Sequence, residues 1–378
     1  TFLKKKSEKT QSTPLDLVFS KKSNLLQLKH DYDQTILFGN NYGYRSSLNQ
    51  SMKDHLKEKY INISKILKLR KGDAILDIGS NDGTFLNYFP EKIIKYGVDP
   101  TAKKFKSFYN KDIKVKTSLF NSKIKFNTKF KFISSVAMFY DLSNPKIFCE
   151  TVSKHLDHEG IFHIEIAYLP DILKKFSFDT FCQEHLTYFS FLSFKYLIDQ
   201  TPFKIIDFGR NSINGGSINF NLAFKKSSWK SNNKKIKKIL ATERKLKLHE
   251  VKTYINYFKK IKSNSTLINK YLKNLKKKNK KICAFGASTK GNVILQYAGL
   301  DYKILNSIYD VNPYKFGRFT PGTKIPIKNE DRIFKDKPDY LLILIWHFTK
   351  TLKTKFKKFK KIDLKYIFPF PKLKVRKL

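Results

Sequence analysis

Cysteine is scarce in this 378-residue chain, which has only Cys149, Cys182 and Cys283. They are too widely spaced for a disulfide framework or a metal knuckle, and a reducing interior suits them. Arginine is scarce beside lysine: of 76 basic residues only Arg45, Arg70, Arg210, Arg244, Arg318, Arg332 and Arg376 are arginine. Proteins that read nucleic acid lean on the arginine fork, so the formal charge of +45 does not by itself call for such a partner. Lysine, asparagine, isoleucine and phenylalanine are enriched together, and their codons can be built from A and T alone, so a genomic bias explains the set better than a ligand. Many lysines also fall in helical stretches such as residues 234–247, where a solvated face accounts for them. What remains is weak, salt-sensitive anion binding. Long apolar runs are missing too. The longest, residues 340–346 (YLLILIW), is far too short to span a bilayer, and no h-region follows the early lysines. The expectation is a cytoplasmic protein without nucleic acid or membrane as partner. Position 1 is threonine, consistent with a stretch missing upstream.

The hydrophobic content of 41% and aromatic content of 15% suffice for the cores of two or three domains. The chain is organised around residues 74–85, AILDIGSNDGTF. Ala74, Ile75 and Leu76 suit a strand buried on both faces, and Gly79 and Gly83 supply the freedom of a tight turn that a ligand can approach closely. A helix is expected next, its free N–H groups turned towards the loop. The G-x-x-x-G spacing is neither the dinucleotide nor the phosphate-loop pattern. Asp77 before the turn, and Asp99 in YGVDP about 20 residues beyond it, fit a neutral or cationic ligand with a ribose better than a pyrophosphate.

Strands at Ile75, Tyr96 and Phe132 alternate with helices in the manner of a parallel doubly wound sheet. Residues 1–13 read as loose. LDLVF and LLQL read as a hairpin around SKKS, with Ser20 and Ser23 where a C-x-x-C knuckle would be natural, so this segment is expected to be metal-free. Residues 40–56 (NNYGYRSSLNQSMKDHL) place Tyr44 in a polar loop before a helix capped at Ser46 or Ser47. A later helix is expected to close at Gly160, and the strand after it to set His163 and Glu165 on a half-exposed face. Residues 178–191, FDTFCQEHLTYFSF, form the densest polar and aromatic cluster, with Glu184 and His185 adjacent. An imidazole and a carboxylate under an apolar lid suit proton removal. Residues 214–217 (NGGS) read as a hairpin turn. A second strand-loop-helix unit starts at Ile282, where Gly286, Ser288, Lys290 and Asn292 crowd a helix start able to meet an anion, and Asp310 ends the following strand. Two sheets in tandem imply two ligands with a cleft between them.

With LDIGSNDGTFL, NNYGYRSSLNQSM, AMFYDLSNP, AYLPDIL with FDTFCQEHLTYFS, FGASTKGN, DVNPYKFGRFTPGTKIPI and PDYLLILIW in hand, the chain resembles the sugar-nucleotide (deoxysugar) C-methyltransferases over nearly its full length. The resemblance implies an α/β fold: a class I methyltransferase Rossmann-like sheet plus a second, smaller Rossmann-like C-terminal domain. It implies an N-terminal segment at 1–56 that is a degenerate zinc-module remnant, a cofactor domain at 57–229, a helical connector at 230–280 and a substrate domain at 281–378. S-adenosyl-L-methionine would meet Asp77, Gly79, Ser80, Asn81, Asp82, Gly83, Asp99 and Pro100. A nucleoside-diphosphate keto-sugar would meet Gly286, Ser288, Lys290, Asn292 and Asp310. Glu184 and His185 match the family's E-H pair, with His185 as base, and Tyr44 would steady an enolate oxygen. No metal is required.

Two departures stand out. Ser20 and Ser23 replace the second cysteine pair of the family's four-cysteine zinc module, and Cys182 and Gln183 stand where some members have tyrosine and histidine. A homodimer is the expected assembly. The charge motivates an alternative, a methyltransferase acting on RNA; the lost cysteines motivate another, a scaffold that retains the fold without catalysis. The few arginines argue against the first and intact Asp77, Glu184 and His185 against the second.

Overall fold

The computed structural model describes residues 2–10, 12–38, 42–348, 356–360 and 362–377. They fall into two compact units, one of residues 16–171 and 183–249, the other of residues 1–15, 172–182 and 250–378.

In the first unit a hairpin of β1 (Leu17–Ser20) and β2 (Leu25–Leu28) precedes α1 (Gln34–Leu37), α2 (Gln50–Leu67), β3 (Ala74–Ile78), β4 (Ile94–Val98), α3 (Ala102–Phe105) and β5 (Ile113–Lys116). Then come β6 (Phe130–Val136), α4 (Pro145–Ser153), β7 (Leu156–Ala167), α5 (Leu169–Lys175, which passes into the second unit at Ile172), β8 (Thr187–Tyr188), α6 (Phe191–Asp199), β9 (Phe203–Asn211), β10 (Ser217–Phe224) and α7 (Asn233–Lys245). The main sheet has the order β5-β4-β3-β6-β7-β10-β9. Strands β3 to β7 pair in parallel, and β10 runs antiparallel between β7 and β9. This is the class I S-adenosylmethionine methyltransferase form of the Rossmann-like α/β fold. Strand β3 is buried at every residue. Its two-residue period sends Leu76 and Ile78 into a core with Phe162, Phe194 and Phe220, and Ile75 into a core with Met52, Leu56 and Phe132, so the sheet is covered on both faces.

The second unit holds α8 (Val251–Lys277), β11 (Ile282–Phe285), α9 (Thr289–Tyr297), β12 (Ile308–Asp310), β13 (Ile327–Asn329), α10 (Arg332–Asp336), β14 (Tyr340–Ile343), β15 (Lys365–Phe368) and β16 (Lys374–Lys377). Its sheet runs β13-β12-β11-β14-β15-β16, parallel except at the last strand. The stretch read as a helical connector is thus two helices, α7 in the first unit and α8 in the second.

Four local expectations need correction. The glycine turn leads into a single 3-10 turn, Leu86–Tyr88, not a longer helix, because Phe85, Leu86 and Phe89 are all drawn into the core and Pro90 follows at once. Gly160 lies inside β7 and closes no helix. A Cβ there would stand 2.8 Å from the Phe130 carbonyl oxygen, and the pairing with β6 shifts register between Phe130 and Phe132, so glycine lets the two backbones converge. Helix α2 is capped by Asn49, since Ser46 and Ser47 belong to a preceding 3-10 turn, Ser46–Leu48. The N-terminal stretch is anchored: Leu3 is buried and exchanges backbone hydrogen bonds with Phe319 at 2.8 and 2.9 Å. Thr1 and Gln11 of that stretch lie outside the described residues.

Candidate functional site

Gly79 and Gly83 have φ of +77° and +75°, where a side chain is strained, and Asn81 between them has φ +51°. The turn is also packed tightly. A Cβ on Gly83 would lie 2.6 Å from the Tyr109 ring, and one on Gly79 2.9 Å from Cγ of Met138. Tyr109 donates its hydroxyl to the Asn81 carbonyl at 2.9 Å and lies 2.8 Å from the Ser80 hydroxyl. Asp99 accepts from the Asn81 amide at 2.8 Å and from the Thr101 amide and hydroxyl at 2.6 and 2.5 Å, so the acid at the end of β4 also fastens the turn. Asp77 accepts from the Ser134 hydroxyl at 2.6 Å. Burial pushes its carboxyl up to about 7, against the hydrogen bond from Ser134. The acids Asp77, Asp82 and Asp99 thus crowd the turn, an acceptor set that fits a sulfonium and ribose hydroxyls and would repel a pyrophosphate. Ser80 and Asn81 are buried with them, and Pro100 is half-buried.

Residues 42–48 lie over that turn. Asn81 accepts from the Ser46 amide at 2.9 Å and donates to the Tyr44 carbonyl at 3.1 Å, while Asp82 accepts from the Ser47 amide at 3.0 Å. Asn40 and Asn41 of the same block lie outside the described residues. Tyr44 is exposed. Tyr42, which the sequence did not single out, is half-buried with its ring 6.5 Å from that of Tyr44. Burial first, and then the charges of Glu184, Asp141 and Asp99, push its phenol well up. One side chain therefore feels the E-H segment and the acid of the cofactor turn together.

Glu184 and His185 are half-buried, and the His185 ring meets Tyr140 edge-on at 4.6 Å. The chain on either side is fastened. The Leu186 amide and Thr187 hydroxyl donate to the Tyr140 carbonyl at 2.9 and 3.1 Å, the Leu28 amide donates to the Leu186 carbonyl at 2.8 Å, and β8 adds to the hairpin of β1 and β2. In that hairpin Ser23 donates its amide to the Ser20 hydroxyl at 3.3 Å, closing the turn between the two serines.

The strand read as half-exposed is buried at its charged positions. His163 and Glu165 have 4% and 2% exposure, on the face covered by α2. Glu165 accepts from Lys59 at 2.8 Å, from Asn211 at 3.0 Å and pairs with His55 at 2.8 Å; His163 lies 2.8 Å from the Lys59 ammonium and 2.7 Å from the Asn221 amide oxygen. Burial and the neighbouring Lys59 pull His163 down to about 3. Burial works against an ionised Glu165, but Lys59 and His55 overcome it and hold the carboxyl at about 2. His55, Lys59 and His163 border a cavity of about 340 Å³ that Asn62, Arg210 and Lys235 also line.

In the second unit Gly286 has φ +93°, and a Cβ there would lie 2.6 Å from Ile345. Asp310 accepts from the Ala287 and Asn312 amides at 2.8 Å each and pairs with Lys315 at 3.3 Å, repeating what Asp99 does for the first turn. Ser288 caps α9 by accepting from the Gly291 amide at 3.0 Å. Lys290 and Asn292 follow on its first turn, and the Asn292 amide oxygen is buried without a hydrogen-bond partner.

Residues 51–207 match the family of methyltransferase domains, and residues 212–371 match the C-methyltransferase C-terminal domain. The C-methyltransferase NovU of Streptomyces niveus is 25% identical over 372 residues, covering 96% of this chain and 87% of its own. A solved S-adenosylmethionine-dependent methyltransferase from Clostridium acetobutylicum is 13% identical, with a TM-score of 0.36 over 46% of this chain and 92% of its own. The plantazolicin methyltransferase BpumL, solved with a triazolic desmethylPZN analog and SAH, is also 13% identical, with a TM-score of 0.39 over 48% of this chain and 88% of its own. With a methyltransferase domain and a C-methyltransferase C-terminal domain in tandem, the chain belongs with the S-adenosylmethionine-dependent C-methyltransferases.

Proposed function

We propose that the chain methylates the carbon next to the ketone of a nucleoside-diphosphate keto-deoxysugar, with His185 as the base. The observation that carries this reading is that one short stretch touches both places: Cγ of Met138 stands 2.9 Å from where a Gly79 Cβ would be, and Tyr140, two residues on, meets His185 edge-on at 4.6 Å, with Tyr42 in the joint field of Glu184, Asp141 and Asp99. Asp99 is itself hydrogen-bonded to the glycine turn. The E-H pair and the cofactor turn thus share one neighbourhood of the first unit. The sugar nucleotide comes from the motif resemblance and from the second glycine turn, where the orphaned Asn292 oxygen, Ser288, Lys290 and Gly286 are assigned to the nucleotide and Asp310 to holding the turn.

S-adenosylmethionine, bound by residues 79–83 with Asp77, Asp99 and Pro100, supplies an electrophilic methyl group. The chain's own task is to make the acceptor carbon a nucleophile. A C–H beside a ketone is a weak acid, so the site needs a base and a donor to the developing enolate oxygen, each worth roughly 100-fold or more in rate. His185 removes the proton while the edge of Tyr140 fixes its ring, and Tyr42 and Tyr44 offer phenol donors. The C–H electron pair becomes the C=C bond of the enolate as the carbonyl π pair moves onto oxygen; when the carbonyl re-forms, the C=C pair makes the new carbon–carbon bond, and the methyl–sulfur bond of the sulfonium would break with its electron pair left on sulfur as a neutral thioether.

Mass-spectrometric screening of keto-sugar nucleotides for a methyl gain tests the reading. His185→Ala abolishes the gain while calorimetry finds cofactor binding nearly intact. Retained turnover in that variant removes His185 from the base's role.

A further inference from the structure

Asp141 lies in AMFYDLSNP, but no catalytic or binding role has been assigned to it above. It ends the 3-10 turn Phe139–Asp141 that follows β6, the strand next to the cofactor strand β3. Two hydrogen bonds hold the turn: the Asp141 amide donates to the Met138 carbonyl at 3.0 Å, and its carbonyl accepts from the Gln34 side chain at 2.8 Å. Its neighbour Tyr140 carries the contacts that fix His185, Leu186 and Thr187. The carboxyl group therefore lies where the E-H segment is strapped to the sheet.

Asp141 is 8% exposed, and its Oδ1 is buried without a hydrogen-bond partner. A buried carboxyl oxygen without a partner is costly, and sites that hold one usually have a use for it. Burial and then the nearby Glu184 push this carboxyl well above the usual carboxylate range. A neutral carboxylic acid is a hydrogen-bond donor where a carboxylate can only accept. Tyr42 feels the charge of the same group. A buried acid, a phenol and the E-H pair thus converge in the first unit, and Asp141 brings the one oxygen among them that is shown to lack a partner.

We propose that Asp141 is a further catalytic residue: its carboxyl group donates a hydrogen bond to the acceptor's carbonyl oxygen as the enolate forms. This rests on the functional reading above. The proton remains on Asp141 throughout. The bond that breaks is the acceptor C–H, whose proton passes to His185, and the charge that gathers on the carbonyl oxygen meets a donor already in place. A neutral donor stabilises that charge without the desolvation penalty of a buried cation.

Two measurements test it. Infrared difference spectra of wild type against Asp141→Asn at pH 7 report whether the carboxyl is protonated, and that band shifts when a keto-sugar nucleotide is added to wild type. Asp141→Ala lowers kcat by roughly 100-fold, the usual cost of removing one oxyanion donor, with cofactor affinity unchanged; Asp141→Asn, whose amide still donates, loses less. An ionised Asp141 in an active enzyme, a band that ignores the acceptor, or an unchanged kcat in Asp141→Ala overturns the assignment alone. Wild type inert towards every keto-sugar nucleotide overturns the functional reading, and this assignment with it.

Discussion

Replacing Lys59 by methionine tests the polar network beneath α2. The side chain is 5% exposed, and its ammonium lies 2.8 Å from both Glu165 and His163. Methionine keeps the length of the side chain and its packing against α2, but leaves Glu165 buried with only His55 and Asn211. Breaking a buried pair by removing one partner costs about 3–5 kcal/mol. With a urea m-value of roughly 2–3 kcal/mol per molar, the midpoint falls by about 1–2 M. Each unit contains one tryptophan, Trp229 in the first and Trp346 in the second, so a Trp346→Phe background reports the first unit alone by fluorescence. The pH dependence carries a definite sign. His163 is pulled below its ordinary value to about 3, so its contribution is present above pH 6.5 and is lost as pH falls towards 3. Glu165 is held at about 2, so its contribution is present above pH 4.5 and is lost as pH falls towards 2. Wild type therefore loses stability through this window by up to about 1.4 kcal/mol per pH unit for each group. Lys59→Met has lost the ammonium's part of both shifts, while the burial of His163 and the hold of His55 on Glu165 remain, so the gap between the two proteins narrows on acidification. Equal midpoints at pH 7, or a gap that widens towards pH 4, refute the reasoning.

Gly83→Ala puts a methyl group 2.6 Å from the Tyr109 ring at φ +75°, so calorimetry finds weaker S-adenosylmethionine binding, with about 1–3 kcal/mol lost from strain at the turn. In the second unit His347 pairs with a fully buried Asp179 at 2.8 Å, and His347→Ala strands that carboxylate, lowering the stability read at Trp346 by about 3 kcal/mol or more.

The sequence showed what repeats along the chain. Alternation in ILDI and ICAF, with glycine immediately after each run, announced two buried strands entering tight turns, because a residue with φ near +80° leaves little choice but glycine. It misread places where a long-range contact decides. Nothing local separates the core-facing His163 and Glu165 from a solvated alternation, since the cation that makes their burial tolerable is Lys59, about 100 positions earlier on a helix whose other lysines are mostly exposed. Tyr42 and Tyr44 also look alike in NNYGYRSS. They differ only because residues 42–48 lie over the glycine turn, an arrangement set by Asn81 accepting from Ser46 and donating to the Tyr44 carbonyl. Asp141 was hidden for the same reason, as its neighbour Glu184 is 43 positions away. Such groups could still have been suspected by one rule: a Lys, His or Glu on the inward phase of a pattern that is otherwise apolar has to find a partner of opposite charge or a hydrogen-bond acceptor. In HIEI on β7 that rule asks for a basic residue on whichever helix covers the sheet, and Lys59, on the same face of α2 as Met52, Leu56 and Ile63, is the residue that answers it.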